Sequence, residues 1–229
     1  MKECKICFIT CVKDEALYAE SLLYLRQLIL PQNVQVEFLP IRGAASMAAG
    51  YNEGQRKSDA KYKIYLHQDV LLLEKDYLRI ILDIFGRNPA VGLLGLIGCE
   101  NLPESGVWWN GSNLYGRVLH APEPESISPS VCGEMQAEFC EVAAVDGLLM
   151  ATQYDIPWRE DLFDGWHFYD VSQCLEFRRR GYKTVIPQQN NDFCLHLSKQ
   201  KPLGLMYWKY QQLFLKEYSG ELENCCEAD

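Results

Sequence analysis

The chain has 229 residues, of which 48% are hydrophobic and 12% aromatic, so it can bury a core. Its formal net charge of −9 argues against a nucleic-acid backbone as the main partner, because that partner requires clustered Lys and Arg. The N-terminus enters a strand-like segment without a signal-peptide core, and apolar runs such as 91–97 are too short to span a bilayer. These features predict a cytoplasmic protein without a transmembrane segment.

The first 100 residues alternate between strand-like and helix-like segments. Period-two or continuous apolar patterns predict strands at residues 5–12, 34–41, 59–70 and 91–98. Helical spacing predicts helices at residues 15–30, with Asp14 as the capping residue, then 44–58, and a third near 75–86. This order predicts an α/β protein with a parallel, Rossmann-like sheet.

Two common nucleotide-binding motifs are absent from the sequence. No Gly-x-Gly-x-x-Gly follows the first predicted strand, and no Walker A motif occurs, which argues against NAD enzymes and P-loop NTPases. Cys4 and Cys7 have the spacing of metal ligands and could bind zinc together with Cys225 and Cys226. We disfavour that site because Cys4 and Cys7 would point to opposite faces of a strand.

The second half of the chain begins with a long segment, residues 100–138, that we expect to form a loop because it is rich in Pro, Ser and Gly. Its paired Trp108 and Trp109 could stack on a sugar face or cover an edge of the core. Asp146 interrupts an apolar strand predicted at 142–151, where a charge is costly unless it is paired or used. Asp170 lies at the start of the helix expected within residues 163–181, as a helix cap or as a site residue.

The remaining predicted elements are a strand at 182–187, a segment at 192–197 that carries His196, and a helix at 203–218. The aromatic residues of that last helix indicate core packing or a homodimer contact, with docking to a membrane surface as a lesser alternative.

The strand predicted at 59–70 carries three polar residues, His67-Gln68-Asp69. Open α/β sheets bind ligands outside the carboxyl ends of their strands. Asp69, Asp170 and His196 lie on segments that could converge there. A divalent cation prefers carboxylate oxygens and tolerates an imidazole, and it can neutralise a phosphate-rich leaving group. A separate carboxylate could then act as general base.

These segments resemble the GT-A nucleotide-sugar glycosyltransferases of the family 2 type. More closely, the chain is similar to a small glycosyltransferase-like group named after a streptomycin-biosynthesis protein. The resemblance is carried by residues 46–69, 145–151 and 163–187, together with His196. It implies a single GT-A-like domain over residues 1–229, built on one mixed, mostly parallel sheet flanked by helices. Residues 1–100 would form the nucleotide-sugar-binding half and residues 101–229 the acceptor-side half.

The resemblance also implies roles for individual residues. His67-Gln68-Asp69 matches the family's Asp-x-Asp motif, which binds Mn²⁺ or Mg²⁺ on the donor diphosphate, and His196 matches a histidine that completes the metal site. Asp170 matches the catalytic base. The implied donor-binding residues are Asp14, Glu15, Asn52 and Gln68, and the implied acceptor-binding residues are Trp108, Trp109, Asp146 and Trp166.

The activity implied is transfer of a sugar from a UDP-, GDP- or dTDP-linked donor to an unidentified acceptor hydroxyl, with inversion, in polysaccharide or glycoconjugate biosynthesis. Two departures from the family pattern stand out. His67 replaces the first acid of the metal motif, and residues 40–43 replace an Asp-Asp-Gly-Ser-type turn. They leave open a non-catalytic nucleotide-sugar-binding protein with a degenerate metal motif. A nucleotidyltransferase would need a basic Gly-rich loop after the first strand, which this chain lacks.

Overall fold

A computed structural model describes residues 4–123, 126–197 and 203–222. Its helices are α1 (Glu15–Leu25), α2 (Met47–Lys57), α3 (Tyr77–Arg87), α4 (Tyr169–Arg179) and α5 (Leu205–Leu222). Its strands are β1 (Cys4–Val12), β2 (Val34–Arg42), β3 (Tyr62–Leu66), β4 (Val70–Leu72), β5 (Val91–Gly95), β6 (Ile97–Asn101), β7 (Ser112–Glu123), β8 (Ser126–Cys132), β9 (Phe139–Val142), β10 (Ala144–Val145), β11 (Leu149–Thr152), β12 (Lys183–Pro187) and β13 (Cys194–His196).

The larger sheet has seven strands in the order β2-β1-β3-β11-β5-β12-β9. Strand β1 pairs in parallel with β2 and β3, and β5 pairs in parallel with β12, as the alternating strands and helices predict. Strand β11 is antiparallel to both of its neighbours, and β9 is antiparallel to β12. The α/β prediction is therefore confirmed, and this sheet is mixed and mostly parallel, because only β11 and β9 run against the other five strands.

A second sheet corrects the expectation of a single one. Its order is β10-β6-β7-β13-β4, with β8 pairing to β7. The strand predicted at 91–98 is divided at Leu96, so that β5 belongs to the first sheet and β6 to the second. The segment 100–138, predicted as a loop, contains the antiparallel pair β7 and β8. Its alternation is hard to recognise because most of β8 is exposed and therefore lacks an apolar face.

The helices begin and end at positions that differ from the predicted ones. Helix α1 ends at Leu25 rather than residue 30, because the chain turns there and leaves Ile29 and Leu30 more than half exposed. Helix α2 begins at Met47, and the hydroxyl of Ser46 accepts a hydrogen bond from the N–H of Ala49. Of the helices in the described part of the chain, none combines the length and the apolar character that crossing a bilayer requires.

The topology brings distant segments to one edge of the molecule. Because β1 and β3 are parallel neighbours, the loops that follow Val12 and Leu66 emerge at the same edge. Strand β13 is antiparallel to β4 and places His196 opposite Val70. The N–H of Leu197 also donates a hydrogen bond of 2.9 Å to the carbonyl of Asp69. These pairings set His196 beside the turn that carries His67 and Asp69.

Candidate active site

His67, Asp69 and His196 form a cluster with the geometry of a metal site. One potential ligand atom from each residue lies within 4.8 Å of the others, and Nε2 of His196 is 3.5 Å from Oδ1 of Asp69. Among the described residues this is the one group of three or more such side chains. Cys225 and Cys226, which belong to the alternative zinc site, lie outside the described residues.

The electrostatics of the cluster favour an ionised carboxylate. Burial alone would raise the pKa of Asp69, but the hydrogen bond from His196 and the charges of the two histidines lower that pKa below its ordinary value. Burial likewise opposes protonation of His196, yet Asp69 raises the pKa of that imidazole. Burial and the nearby His196 lower the pKa of His67. The carboxylate of Asp69 and the imidazole of His67, whose lowered pKa favours the neutral form, are ready ligands for a cation.

The donor set fits a divalent cation. Ligands on opposite sides of an ion with bonds of about 2.1 Å lie about 4.2 Å apart, so small side-chain rotations bring these three atoms to one ion. Carboxylates suit Mn²⁺ and Mg²⁺, whereas imidazoles favour ions softer than Mg²⁺. This mixed set is compatible with a divalent cation of either kind.

A cavity of about 800 Å³ opens beside the cluster, between the ends of β1, β2 and β3. Two of the predicted donor-binding residues, Glu15 and Gln68, line it together with His67 and Asp69. The remaining lining residues include Cys11, Val12, Lys13, Ile41, Arg42, Gly43, Ala44, Met47 and Trp166.

Gln68 fixes the wall of this cavity. Its Oε1 accepts hydrogen bonds from the backbone N–H groups of Lys13 and Asp14, at 2.8 and 2.9 Å. Asp14 does not line the cavity; its carboxylate caps α1 by accepting from the N–H groups of Ala16 and Leu17. The amide of Gln68 therefore joins the turn that carries His67 and Asp69 to the loop at the start of α1.

Glu15 pairs with a residue that the sequence analysis missed. The guanidinium of Arg42 donates two hydrogen bonds to the Glu15 carboxylate, at 2.6 and 2.9 Å, and both side chains are more than half exposed. Arg42 belongs to the segment 40–43, which stands in place of the family's Asp-Asp-Gly-Ser-type turn. Its position at the carboxyl end of the second predicted strand was the available indication that it borders the cavity.

The structure does not bring Asn52 to this cavity. Its side chain is 4% exposed and bonds the backbone of Trp158 twice, donating to the carbonyl at 2.9 Å and accepting from the N–H at 2.8 Å. This contact joins α2 to the segment before α4. We therefore leave Asn52 out of the proposed donor site.

A second cavity, of about 210 Å³, adjoins the first, because His67 and Trp166 line both. All four predicted acceptor-binding residues line it, and so do Asp170 and His196. Trp108 is buried, whereas Trp109 and Trp166 are 43% and 47% exposed and offer ring faces to a ligand. Trp108 therefore packs in the core and also borders the cavity, and stacking of the exposed Trp109 on a sugar stays a prediction.

Asp170 is held at the wall of the smaller cavity by the backbone. Its Oδ2 accepts a hydrogen bond of 3.0 Å from the N–H of Gly147, and helix α4 begins without a side-chain cap. Burial and the negative charge of Asp146 raise the pKa of Asp170 to about 7. A carboxyl group with such a pKa is suited to proton transfer near neutral pH.

Tyr169 is a second residue that the sequence analysis missed. Its hydroxyl lies 2.5 Å from Nε2 of His67, although the two residues are 102 positions apart. No local pattern in the sequence indicates this contact, because it depends on how α4 packs against the end of β3.

Comparison with known proteins identifies the family. Residues 7–218 match the family described as "Glycosyltransferase like family", and the chain belongs to this family. No curated protein sequence matches the chain. The predicted resemblance to glycosyltransferases is thus confirmed, while the narrower likeness to the streptomycin-biosynthesis group stays a prediction.

Several solved structures share this fold at low sequence identity. Mannosyltransferase PcManGT from Pyrobaculum calidifontis, in complex with GDP-Man and Mn²⁺, has a TM-score of 0.56 and 12% identity over 98% of this chain and 65% of its own. TarS from S. aureus has a TM-score of 0.57 and 8% identity over 97% of this chain and 42% of its own. Drosophila β-1,4-galactosyltransferase 7, a mutant complex with manganese, UDP-Gal and xylobiose, has a TM-score of 0.52 and 13% identity over 90% of this chain and 79% of its own. These matches confirm the GT-A fold.

Proposed function

We propose that this protein transfers a sugar from a nucleotide-diphosphate donor to an acceptor hydroxyl. The observation that carries the proposal is the junction of two cavities, with the cluster of His67, Asp69 and His196 at the junction and Asp170 on the acceptor side. The family match and the nucleotide-sugar complexes of the similar structures support this assignment. Fold alone would not, because one fold serves many functions.

The linings of the two cavities support separate donor-binding and acceptor-binding roles for the two halves of the chain. The larger one is lined by residues before position 100 plus Trp166, which suits a donor-binding half at residues 1–100. The smaller one is lined by residues after position 100 plus His67, which suits an acceptor-side half at residues 101–229. We propose that both halves belong to a single domain, because the site is incomplete without either.

Asp170 is the general base of the proposed reaction. With a pKa of about 7 it is ionised in slightly alkaline solution, yet basic enough to take the proton of an attacking hydroxyl. The Gly147 N–H fixes one carboxylate oxygen of Asp170 at the wall of the acceptor-side cavity. We propose that the acceptor, deprotonated by Asp170 in the smaller cavity, attacks opposite the diphosphate that leaves at the junction, so that the anomeric carbon inverts, as the family resemblance implies.

Asp69, His196 and His67 would hold Mn²⁺ or Mg²⁺, which supplies positive charge to the departing diphosphate. On the donor side, Glu15 and Arg42 can hydrogen-bond the nucleotide, and Gln68 keeps the loop after β1 in place. On the acceptor side, Trp109 and Trp166 can pack against the apolar face of a sugar ring.

The test is a calorimetric titration of UDP-, GDP- and dTDP-sugars, performed with Mn²⁺ and again with EDTA. We expect one donor class to bind in a metal-dependent manner, and we expect Asp69→Ala to abolish that binding. Asp83→Ala is the matched control, because Asp83 is an exposed aspartate of α3 whose charged partner is Arg79. Asp170→Asn should bind the donor normally and lose transfer.

Two outcomes would contradict the proposal. Transfer that survives in Asp170→Asn would remove its mechanism. Metal-independent donor binding without hydrolysis or transfer would favour the alternative of a non-catalytic nucleotide-sugar-binding protein, in which His67 in place of an acid marks a degenerate metal motif.

A further inference from the structure

The contact between Tyr169 and His67 has no role in the proposed chemistry so far. Tyr169 is 4% exposed, and its ring packs near those of Tyr51 and Trp158, with centroids 6.0 Å away in each case. Its hydroxyl meets Nε2 of His67 at 2.5 Å. A tyrosine hydroxyl can donate or accept, so the pair can hold one tautomer of the neutral imidazole.

The surrounding backbone is shaped to keep this contact. A Cβ atom on Gly147 would lie 2.2 Å from the Tyr169 hydroxyl oxygen, so the close approach requires glycine at that position. Phe168, which precedes Tyr169, adopts a left-handed conformation with φ of 62°, which is costly for an aromatic residue. The backbone N–H of His67 also donates to the carbonyl of Leu148 at 3.0 Å. The backbone and the ring of His67 are therefore both held by hydrogen bonds.

We propose that Tyr169 is a positioning residue that orients the imidazole of His67 for cation binding. With Nε2–H donating to the Tyr169 oxygen, Nδ1 carries the lone pair that a metal requires. Since Tyr169 and Asp170 are consecutive in the first turn of α4, one turn sets both the metal ligand and the base. This inference rests on the proposed function for the identity of the ligand, while the imidazole contact itself does not depend on any metal.

The test compares Tyr169→Phe, which removes one hydroxyl and keeps the ring, with Tyr51→Phe. Tyr51 is a matched control because it is buried in the same aromatic cluster, and its hydroxyl has no hydrogen-bond partner among the described residues. In metal-free protein at pH 8, ¹⁵N NMR should show one tautomer of His67 in the wild type and in Tyr51→Phe. We expect a mixture of tautomers in Tyr169→Phe.

The second readout is the affinity for Mn²⁺, measured by calorimetry without any donor. We expect Tyr169→Phe to weaken binding by about tenfold or more, as loss of an outer-sphere partner does elsewhere, and Tyr51→Phe to leave it unchanged. An unchanged tautomer and an unchanged Mn²⁺ affinity in Tyr169→Phe would overturn the inference. If the wild type takes up no Mn²⁺, the metal-dependent function fails, and the NMR comparison still decides whether Tyr169 orients His67.

Discussion

Replacing Asp170 with asparagine should stabilise the protein while it abolishes transfer. Asparagine keeps the shape of the side chain and can still accept the hydrogen bond from the Gly147 N–H. It removes the negative charge that burial and Asp146 disfavour. The proposed general base requires this negative charge, because only the ionised carboxylate can accept a proton. Stability and activity should therefore change in opposite directions.

The sign and size of the effect follow from the pKa of Asp170. Its folded-state pKa of about 7 lies above the ordinary 3.8, so the folded protein binds a proton more tightly than the unfolded chain does. This contribution to stability is fully present below pH 3.8 and is lost as the pH rises through 7. At about 1.36 kcal/mol for each pKa unit, the loss is at most about 4 kcal/mol. Because the carboxyl borders a cavity and remains partly exposed, we expect about half of that, about 2 kcal/mol.

The assay is thermal unfolding of the wild type and Asp170→Asn at pH 5 and pH 8. For a chain of this size, about 2 kcal/mol corresponds to an increase in Tm of about 4–8 °C. We expect the full gain at pH 8 and a smaller one at pH 5, where the folded carboxyl is still protonated and only the unfolded one has ionised. Asp83→Asn, an exposed substitution on α3, is the control and should show no such dependence on pH. Equal gains at both pH values, or a loss at pH 8, would refute the reasoning.

Three further changes test the site. Wild-type kcat/KM should rise with pH and level off above about 7, and Asp146→Asn should move this inflection to lower pH because the charge of Asp146 raises the pKa of Asp170. Asn52→Ala should lower the free energy of unfolding by roughly 2–4 kcal/mol, because two buried backbone groups lose their partner, and calorimetry should show unchanged donor affinity. Gln68→Ala should weaken donor binding by about tenfold in the same titration, because it releases the loop after β1.

The fold of the first 100 residues could be predicted because their periodicity is local. The buried strands β1 and β3 and the helices between them carry apolar patterns that need no tertiary information. The second sheet could not be predicted in this way. Strand β8 is mostly exposed, and the boundary between β5 and β6 depends on which sheet each half joins. Whether an exposed segment such as β8 forms a strand, and which sheet each of β5 and β6 joins, depends on residues elsewhere in the chain.

The candidate site was predicted where residues occupy the ends of predicted strands or match a family motif. Asp69 and His196 converge as expected, because β4 and β13 pair. Asn52 matched a motif position on α2, but the packing of that helix gives its amide to the Trp158 backbone. Tyr169 and Arg42 were missed, since their roles come from contacts across the fold rather than from spacing.

Contacts at the C-terminal end of α4 explain how Phe168, the residue before the helix, can keep an unfavourable backbone conformation. Glu176 is 5% exposed and accepts hydrogen bonds from Arg179 and Arg180 and from the hydroxyl of Tyr218 on α5. Arg159, in the segment before α4, bonds the same carboxylate at 3.3 Å. Removing the partners of the buried Glu176 carboxylate is costly, because it would leave an uncompensated charge behind. The helix is therefore anchored at its C-terminal end, so that Phe168 can keep its left-handed backbone at the other end. We infer that the arginines contribute to the site by fixing α4, beyond their favourable interaction with its dipole.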